Sequence, residues 1–308
     1  MISVFCPILI MYPTGISFSG KTMKRLICVL VCLLGIFLIF EESHAISNGK
    51  SLSKEDKDHL IGLFQESGFD KDYLNEVFGD PRLKYIPGIT KRNVINKENA
   101  FNYKQFLSPF AIRMAKKFAR KWRTRLNNAS RDFGVDKEII VAILLVETSL
   151  GKCLGNANIM SVFASIILDK HGIHRKEKGK ILGRVSVRRK NLKRLEKKTK
   201  WARGEIVALL TMKRDMKMDI YDLQGSHAGA FGIPQFLPTS YLRYGHDGDG
   251  SETVDLFHIP DAIVSVVSFL KGHGWEKGLH NEKNERVLRR YNNSSVYVKT
   301  VLEIATKL

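Results

Sequence analysis

Between Glu138 and Lys152 the chain reads EIIVAILLVETSLGK, and Glu147 is the one ionisable side chain inside that interval. Apolar residues on every side of the segment predict a helix buried all round, with Gly151 supplying its stop. A carboxylate in such surroundings is costly, so the group either finds partners or holds a proton. Glu147 also falls in the last turn, where the negative end of the helix dipole disfavours the anion further. Both effects raise its pKa. An acid still protonated near neutral pH can hand its proton to a leaving oxygen. Two structural roles fit the same pattern: a glutamate on a single solvated stripe, and one paired with a buried arginine.

A second segment, Gly225 to Tyr241, reads GSHAGAFGIPQFLPTSY. Its small residues permit close backbone approach. Ser226 and Gln235 offer donors and acceptors, and Phe236 offers a ring face on which a sugar could stack. No Gly-Lys-Ser/Thr follows, so this is not a phosphate loop. A tightly packed helix–loop junction would have the same composition. Further on, Asp247, Asp249, Ser251, Thr253 and Asp255 fall at loop positions 1, 3, 5, 7 and 9, the spacing of oxygen ligands round Ca²⁺. Glu252 stands where an EF-hand has its glycine, and His258 where it has its closing glutamate.

The elements that must position these residues are mostly helical. Leu60, Ile61, Leu63 and Phe64, then Tyr73, Leu74, Val77 and Phe78, have helical spacing on two short segments split by Ser67-Gly68. Phe110, Met114, Phe118 and Trp122 predict one amphipathic helix over Phe110–Leu126, broken by 127–134, with Asp136 capping the next. Helices are also expected over Ile159–Leu168, Glu205–Met216 and Pro260–Lys271. No strong run of alternating strands appears. The fold class is mainly α.

The 308 residues carry 50 Lys+Arg against 31 Asp+Glu, a net charge of +19. Such a field attracts polyanions. Residues 1–45 read as a leader and signal peptide: Met23-Lys24-Arg25 (Met23 being the expected start), apolar Leu26–Phe40, then Ser43-His44-Ala45. The apolar run spans about 22 Å as helix, short of the ~30 Å hydrocarbon core, which favours cleavage over an uncleaved anchor. Export to the periplasm or cell envelope follows. Cleavage leaves Cys153 alone and excludes a cysteine metal site. Residues 46–57 read as a short polar linker, and 58–308 as the folded domain. Within it, 170–203 is a basic insertion holding 15 Lys/Arg against two Glu. A solvated face or contact with the anionic wall or acidic lipid would explain it. Nucleic acid is not expected as a partner, because the leader removes the chain from the cytoplasm and no aromatic precedes Trp201 for base stacking.

Four motifs occur in order: Val146-Glu147-Thr148 with Gly151; Gly225–Tyr241; Pro260-Asp261-Ala262-Ile263 through His273-Gly274-Trp275; and Arg290-Tyr291-Asn292-Asn293-Ser294 with Tyr297. Together they closely resemble the lytic murein transglycosylase B family of bacterial cell-wall enzymes, over roughly residues 58–308. The resemblance implies a lysozyme-like fold with a groove for peptidoglycan glycan strands. It implies cleavage of the bond from N-acetylmuramic acid to N-acetylglucosamine without water, leaving a 1,6-anhydromuramoyl end. Glu147 is then the single acid and base, and no cofactor takes part. Ser226, Gln235, Phe236, Tyr291 and Asn292 match groove positions. Asp261 matches a carboxylate that closes an EF-hand-like loop in relatives, so a structural Ca²⁺ on Asp247, Asp249, Ser251, Thr253 and Asp261 is implied. A hydrolytic muramidase and a catalytically weak wall-binding protein are the alternatives.

Overall fold

A computed structural model of the chain describes residues 49–94, 102–174, 189–279 and 281–308. The expected leader, and the middle of the basic insertion, lie outside the described residues. What is described is mainly helix, as expected. Helices α1 (Lys54–Gln65) and α2 (Lys71–Gly79) pack together and lead through the short α3 (Ile89–Val94) and a 3₁₀ turn (Tyr103–Leu107) to α4 (Pro109–Lys121), α5 (Arg123–Phe133) and α6 (Lys137–Thr148). Helices α7 (Ile159–His174) and α8 (Arg189–Met216) form a long pair, followed by α9 (Pro238–Tyr244), α10 (Ile259–Gly272), α11 (Glu282–Tyr291) and α12 (Ser295–Thr306). Two antiparallel ribbons are only two residues long on each side: β1 (Lys50–Ser51) with β2 (Lys84–Tyr85), and β3 (Ala157–Asn158) with β4 (Gln224–Gly225). Thus part of the segment read as a linker is structured, with Leu52 in the core and Ser53 capping α1 through a reciprocal bond with Asp56.

Helix α6 is the centre of the domain. Every residue from Ile139 to Thr148 is buried, and α4, α5, α10, α12 and the 3₁₀ turn surround it. Each of its fully buried Ile, Leu and Val side chains contributes about 1.5–3 kcal/mol. Its end differs from the expected one. The helix stops at Thr148, and Ser149 (φ 51°), Leu150 (φ 64°) and Gly151 (φ 86°) are all left-handed. Only the last is a glycine, and each of the other two costs roughly 1–2 kcal/mol for its Cβ. The turn is held by Ser149 N–H to Leu145 O and Leu150 N–H to Leu144 O, both 2.9 Å.

Three local expectations are corrected. The helix expected over Phe110–Leu126 breaks at Trp122 (φ −103°, ψ 19°), and α5 runs through the residues expected to break it, ending only at Gly134. The buried stripe of α4 is Ala111, Ala115 and Phe118, while Phe110 is exposed. Asp136 makes no side-chain cap to α6; its carboxylate instead accepts from Trp275 Nε1 (3.0 Å) and Gly278 N (2.9 Å).

The basic insertion is in part the first half of α8. Leu195, Thr199 and Ala202 are buried at helical spacing, with Lys193, Arg194, Lys197, Lys200 and Arg203 exposed. Among the described residues no helix is long and apolar enough to cross a membrane.

Candidate active site

The loop after β4 is folded onto the end of α6 by its own backbone. Phe231 and Phe236 exchange N–H···O bonds of 2.9 and 3.0 Å, and Ser226 N–H bonds Ala230 O at 2.7 Å. Gly232 (φ 72°) passes so close to Leu256 that a Cβ there would collide with it, which is why a glycine is needed at this point. Thr148 Oγ donates to Ile233 O at 2.8 Å and Tyr291 OH to Pro234 O at 2.5 Å, so α6 and α11 both clamp this loop. The residue following the acid thus fixes the loop beside it.

Glu147 is fully buried, and neither carboxyl oxygen makes a hydrogen bond to the protein. Three other carboxyls are buried among the described residues, and each has partners. Asp169 accepts from Tyr85 OH (2.5 Å), Glu205 from Thr239 N and Oγ (3.0 Å each), and Asp261 from the N–H groups of Gly248 and Asp255 (3.0 and 2.7 Å). Those three hold the fold together. Glu147 does not, and neither of the two structural roles open to it in the sequence, a solvated stripe or a buried arginine partner, is realised.

Burial pushes the Glu147 carboxyl up to about 7, opposed by the nearby Tyr297 hydroxyl. That hydroxyl is close enough to lower the pKa, although it closes no hydrogen bond of normal geometry with the carboxyl. Tyr291 and Tyr297 flank the acid with stacked rings, 6.5 Å between centroids, and Tyr103 meets Tyr297 edge-on. Burial, and after it the charge of Glu147, drives both phenol pKa values well up, so both remain neutral donors.

The raised carboxyl pKa has a measurable consequence for stability. Between the ordinary value of 4.5 and about 7 the folded protein holds a proton that the unfolded chain has lost. The neutral acid's contribution is therefore complete below about 4.5 and is lost as pH rises through about 7, amounting to about 3 kcal/mol. Glu147→Gln should raise Tm by roughly 5–10 °C at pH 9, with the gain shrinking towards pH 5. Melting curves of both proteins across pH check this; parallel profiles would contradict it.

The expected binding residues divide into two groups. Gln235 is buried in a left-handed conformation (φ 53°); its Nε2 donates to Leu154 O (3.2 Å) and Gly232 O (3.0 Å), which leaves Oε1 with no protein partner. Tyr291 lies near enough to feel the charge of Glu147, while its hydroxyl donates to Pro234 O. Ser226 is spent on its own turn, its Oγ accepting from Ala230 N at 3.2 Å. Asn292 is buried as the cap of α11. Phe236 is a correction: it is fully buried, with Phe269 and Tyr291 5.8 and 6.0 Å from its ring, and presents no face to a sugar. Tyr297 is the member of the site that the sequence reading quoted in a motif and assigned no role.

The acidic loop brings together a different set from the one its spacing implied. Asp249, His258 and Asp261 converge, with ligand atoms within 4.8 Å of one another and His258 Nδ1 3.1 Å from Asp249 Oδ2. Asp247 turns inward and accepts from the N–H groups of Asp249, Gly250 and Glu252, bonds that lower its pKa to about 2. Ser251 and Thr253 bond each other.

Residues 53–283 match the family model described as a transglycosylase SLT domain. The membrane-bound lytic murein transglycosylase B of Escherichia coli is 28% identical over 227 residues, covering 70% of this chain and 56% of that protein, so the chain spans about half the length of this curated relative. Among solved structures, the E. coli lytic transglycosylase Slt35 in complex with calcium superposes with a TM-score of 0.65 at 23% identity, over 84% of this chain and 94% of that one. SltB1 of Pseudomonas aeruginosa, a soluble lytic transglycosylase, gives 0.65 at 23% over 82% and 97%. SltB3 of the same organism, in complex with NAG-anhNAM-pentapeptide, gives 0.64 at 19% over 81% and 77%. These structures carry the same lysozyme-like helical fold. With three quarters of its length matched by one family model, the chain belongs to the transglycosylase SLT domain family.

Proposed function

We propose that the protein cleaves the glycan strands of peptidoglycan between N-acetylmuramic acid and N-acetylglucosamine without adding water. The observation that carries this reading is a single buried carboxyl, pKa about 7, bonded to no protein group. No second carboxylate acts on its pKa. A hydrolase of the usual kind needs two, about 5–9.5 Å apart according to stereochemistry. One carboxyl suffices if it works twice. The neutral Glu147 first protonates the glycosidic oxygen as the bond to C1 breaks, while the muramoyl N-acetyl oxygen stabilises the positive centre. The Glu147 anion then removes the proton of the 6-hydroxyl, whose oxygen bonds to C1 and closes the 1,6-anhydro ring. Atoms and charge balance with no water consumed, and Glu147 ends protonated. Tyr297, kept neutral by burial and by the charge of Glu147, supports the transient anion.

The test is mass analysis of the products from purified sacculi. Anhydromuramoyl ends, one water lighter than reducing ends, are expected; reducing ends alone would establish the hydrolytic alternative.

A calcium ion is proposed for the acidic loop. A bound ion would be held by Asp249 and Asp261 and would tie the loop to the first turn of α10. The nitrogen of His258 stands where calcium prefers oxygen. Weak binding is therefore expected, with His258→Glu tightening it by roughly tenfold or more in calorimetry. An unchanged affinity would remove His258 from the site. For localisation we propose export to the periplasm or envelope. The exposed cations of α8 support salt-dependent contact with the wall.

A further inference from the structure

Away from Glu147, at the opposite end of α6, a recess of about 290 Å³ lies between α4, α5 and the first turn of α6. This is near the lower end of the ~300–1,000 Å³ typical of small-ligand sites. Its floor is apolar, from Leu126 and Val141, each 1% exposed. Four cations line it: Lys116 and Arg120, one turn apart on α4, Arg123 at the start of α5, and Lys137 at the start of α6. Two acidic groups stand against them in the lining, the Glu138 side chain and the terminal carboxylate of Leu308. None of the four cations takes part in an ion pair among the described residues; Lys137 donates only to Asn127 Oδ1, at 3.1 Å.

Like charges converging over an apolar floor repel one another, and the low-dielectric wall strengthens their field in the recess. Glu138 offsets part of this charge without forming an ion pair with any of the four. The surrounding sequence makes it stronger, since 109–125 holds seven Lys/Arg and no Asp/Glu. The first turn of α6 adds a positive helix end to the same recess. Its N-cap, Asp136, is turned away to Trp275 and Gly278 and leaves that end without a side-chain cap.

We infer that this recess is a binding site for a phosphate-bearing anion, held by Arg120, Arg123, Lys116 and Lys137. Two guanidinium forks and two ammonium groups match a tetrahedral oxyanion with three or four acceptor oxygens. The shared chemistry admits two sources, a free phosphate ester or the headgroup of an acidic phospholipid.

The test uses the full chain and does not depend on glycan cleavage. Inorganic phosphate is titrated by calorimetry into the protein, into Arg120→Gln/Arg123→Gln, and into Lys54→Gln/Lys71→Gln, which removes as much charge from α1 and α2. All four substituted side chains are exposed, so unchanged far-UV spectra and Tm are expected. Saturable binding to one site, weakened roughly tenfold or more only in the Arg120/Arg123 variant, supports the inference. Failure to bind phosphate, or equal weakening in both variants, overturns it. Flotation with phosphatidylglycerol vesicles then separates the sources. Vesicle binding that free phosphate displaces assigns the headgroup, and phosphate binding without vesicle binding assigns the soluble ester.

Discussion

Glu147→Gln is expected to lower turnover of purified peptidoglycan by about 10⁴-fold or more while leaving glycan affinity within a few-fold of the parent. Acid–base catalysis by one positioned group contributes about 10²–10⁴-fold, and here the same carboxyl serves both bond cleavage and ring closure. Glutamine matches the neutral acid in shape and charge, so the surrounding pack of α4, α10 and α12 has no reason to rearrange. It can neither give up a proton to a leaving oxygen nor take one from a hydroxyl. Release of soluble fragments from sacculi and equilibrium binding to the same material provide the two readouts. Cleavage at near-parental rate would remove Glu147 from the reaction; loss of binding together with turnover would make it a structural residue.

Phe236→Ala should act on the fold instead. The ring is fully buried between Phe269 and Tyr291, and its truncation leaves a cavity worth about 3–5 kcal/mol. A fall in Tm of roughly 10 °C is expected. At temperatures well below the new midpoint, KM should stay within about twofold, because no sugar contact is lost. If Tm held and KM rose instead, the ring would be a binding surface after all and its packed position would not be the working one.

The chemistry of the acid was legible because one charged letter stands in an otherwise apolar run, and burial alone dictates what such a group must do. The helical class was legible for the same reason, from period and composition. Less of the binding site could be read. Ser226 and Phe236 have the right chemistry for sugar contact, but a sequence does not say whether an oxygen or a ring is already spent on its neighbours. Here Ser226 closes its own turn and Phe236 fills the core. Tyr297 was missed as a partner of Glu147 for the converse reason. The contact between α6 and α12 spans 150 residues, and nothing local marks that tyrosine as facing an acid. Asp136 shows the limit of capping rules. It has the right residue type at the right place, yet a distant tryptophan competes successfully for its carboxylate.

The three left-handed residues after Thr148 make the length of α6 as consequential as its composition. Because Ser149 and Leu150 are pinned to carbonyls one turn back, and Thr148 to the neighbouring loop, the helix has no slack with which to absorb an extra residue. One alanine inserted upstream would swing the carboxyl through about 100°, out of the reach of both tyrosines, with every original side chain still present. Counting residues between the start of this helix and its acid is therefore a sharper criterion for a working homologue, or for a redesigned one, than matching the letters themselves.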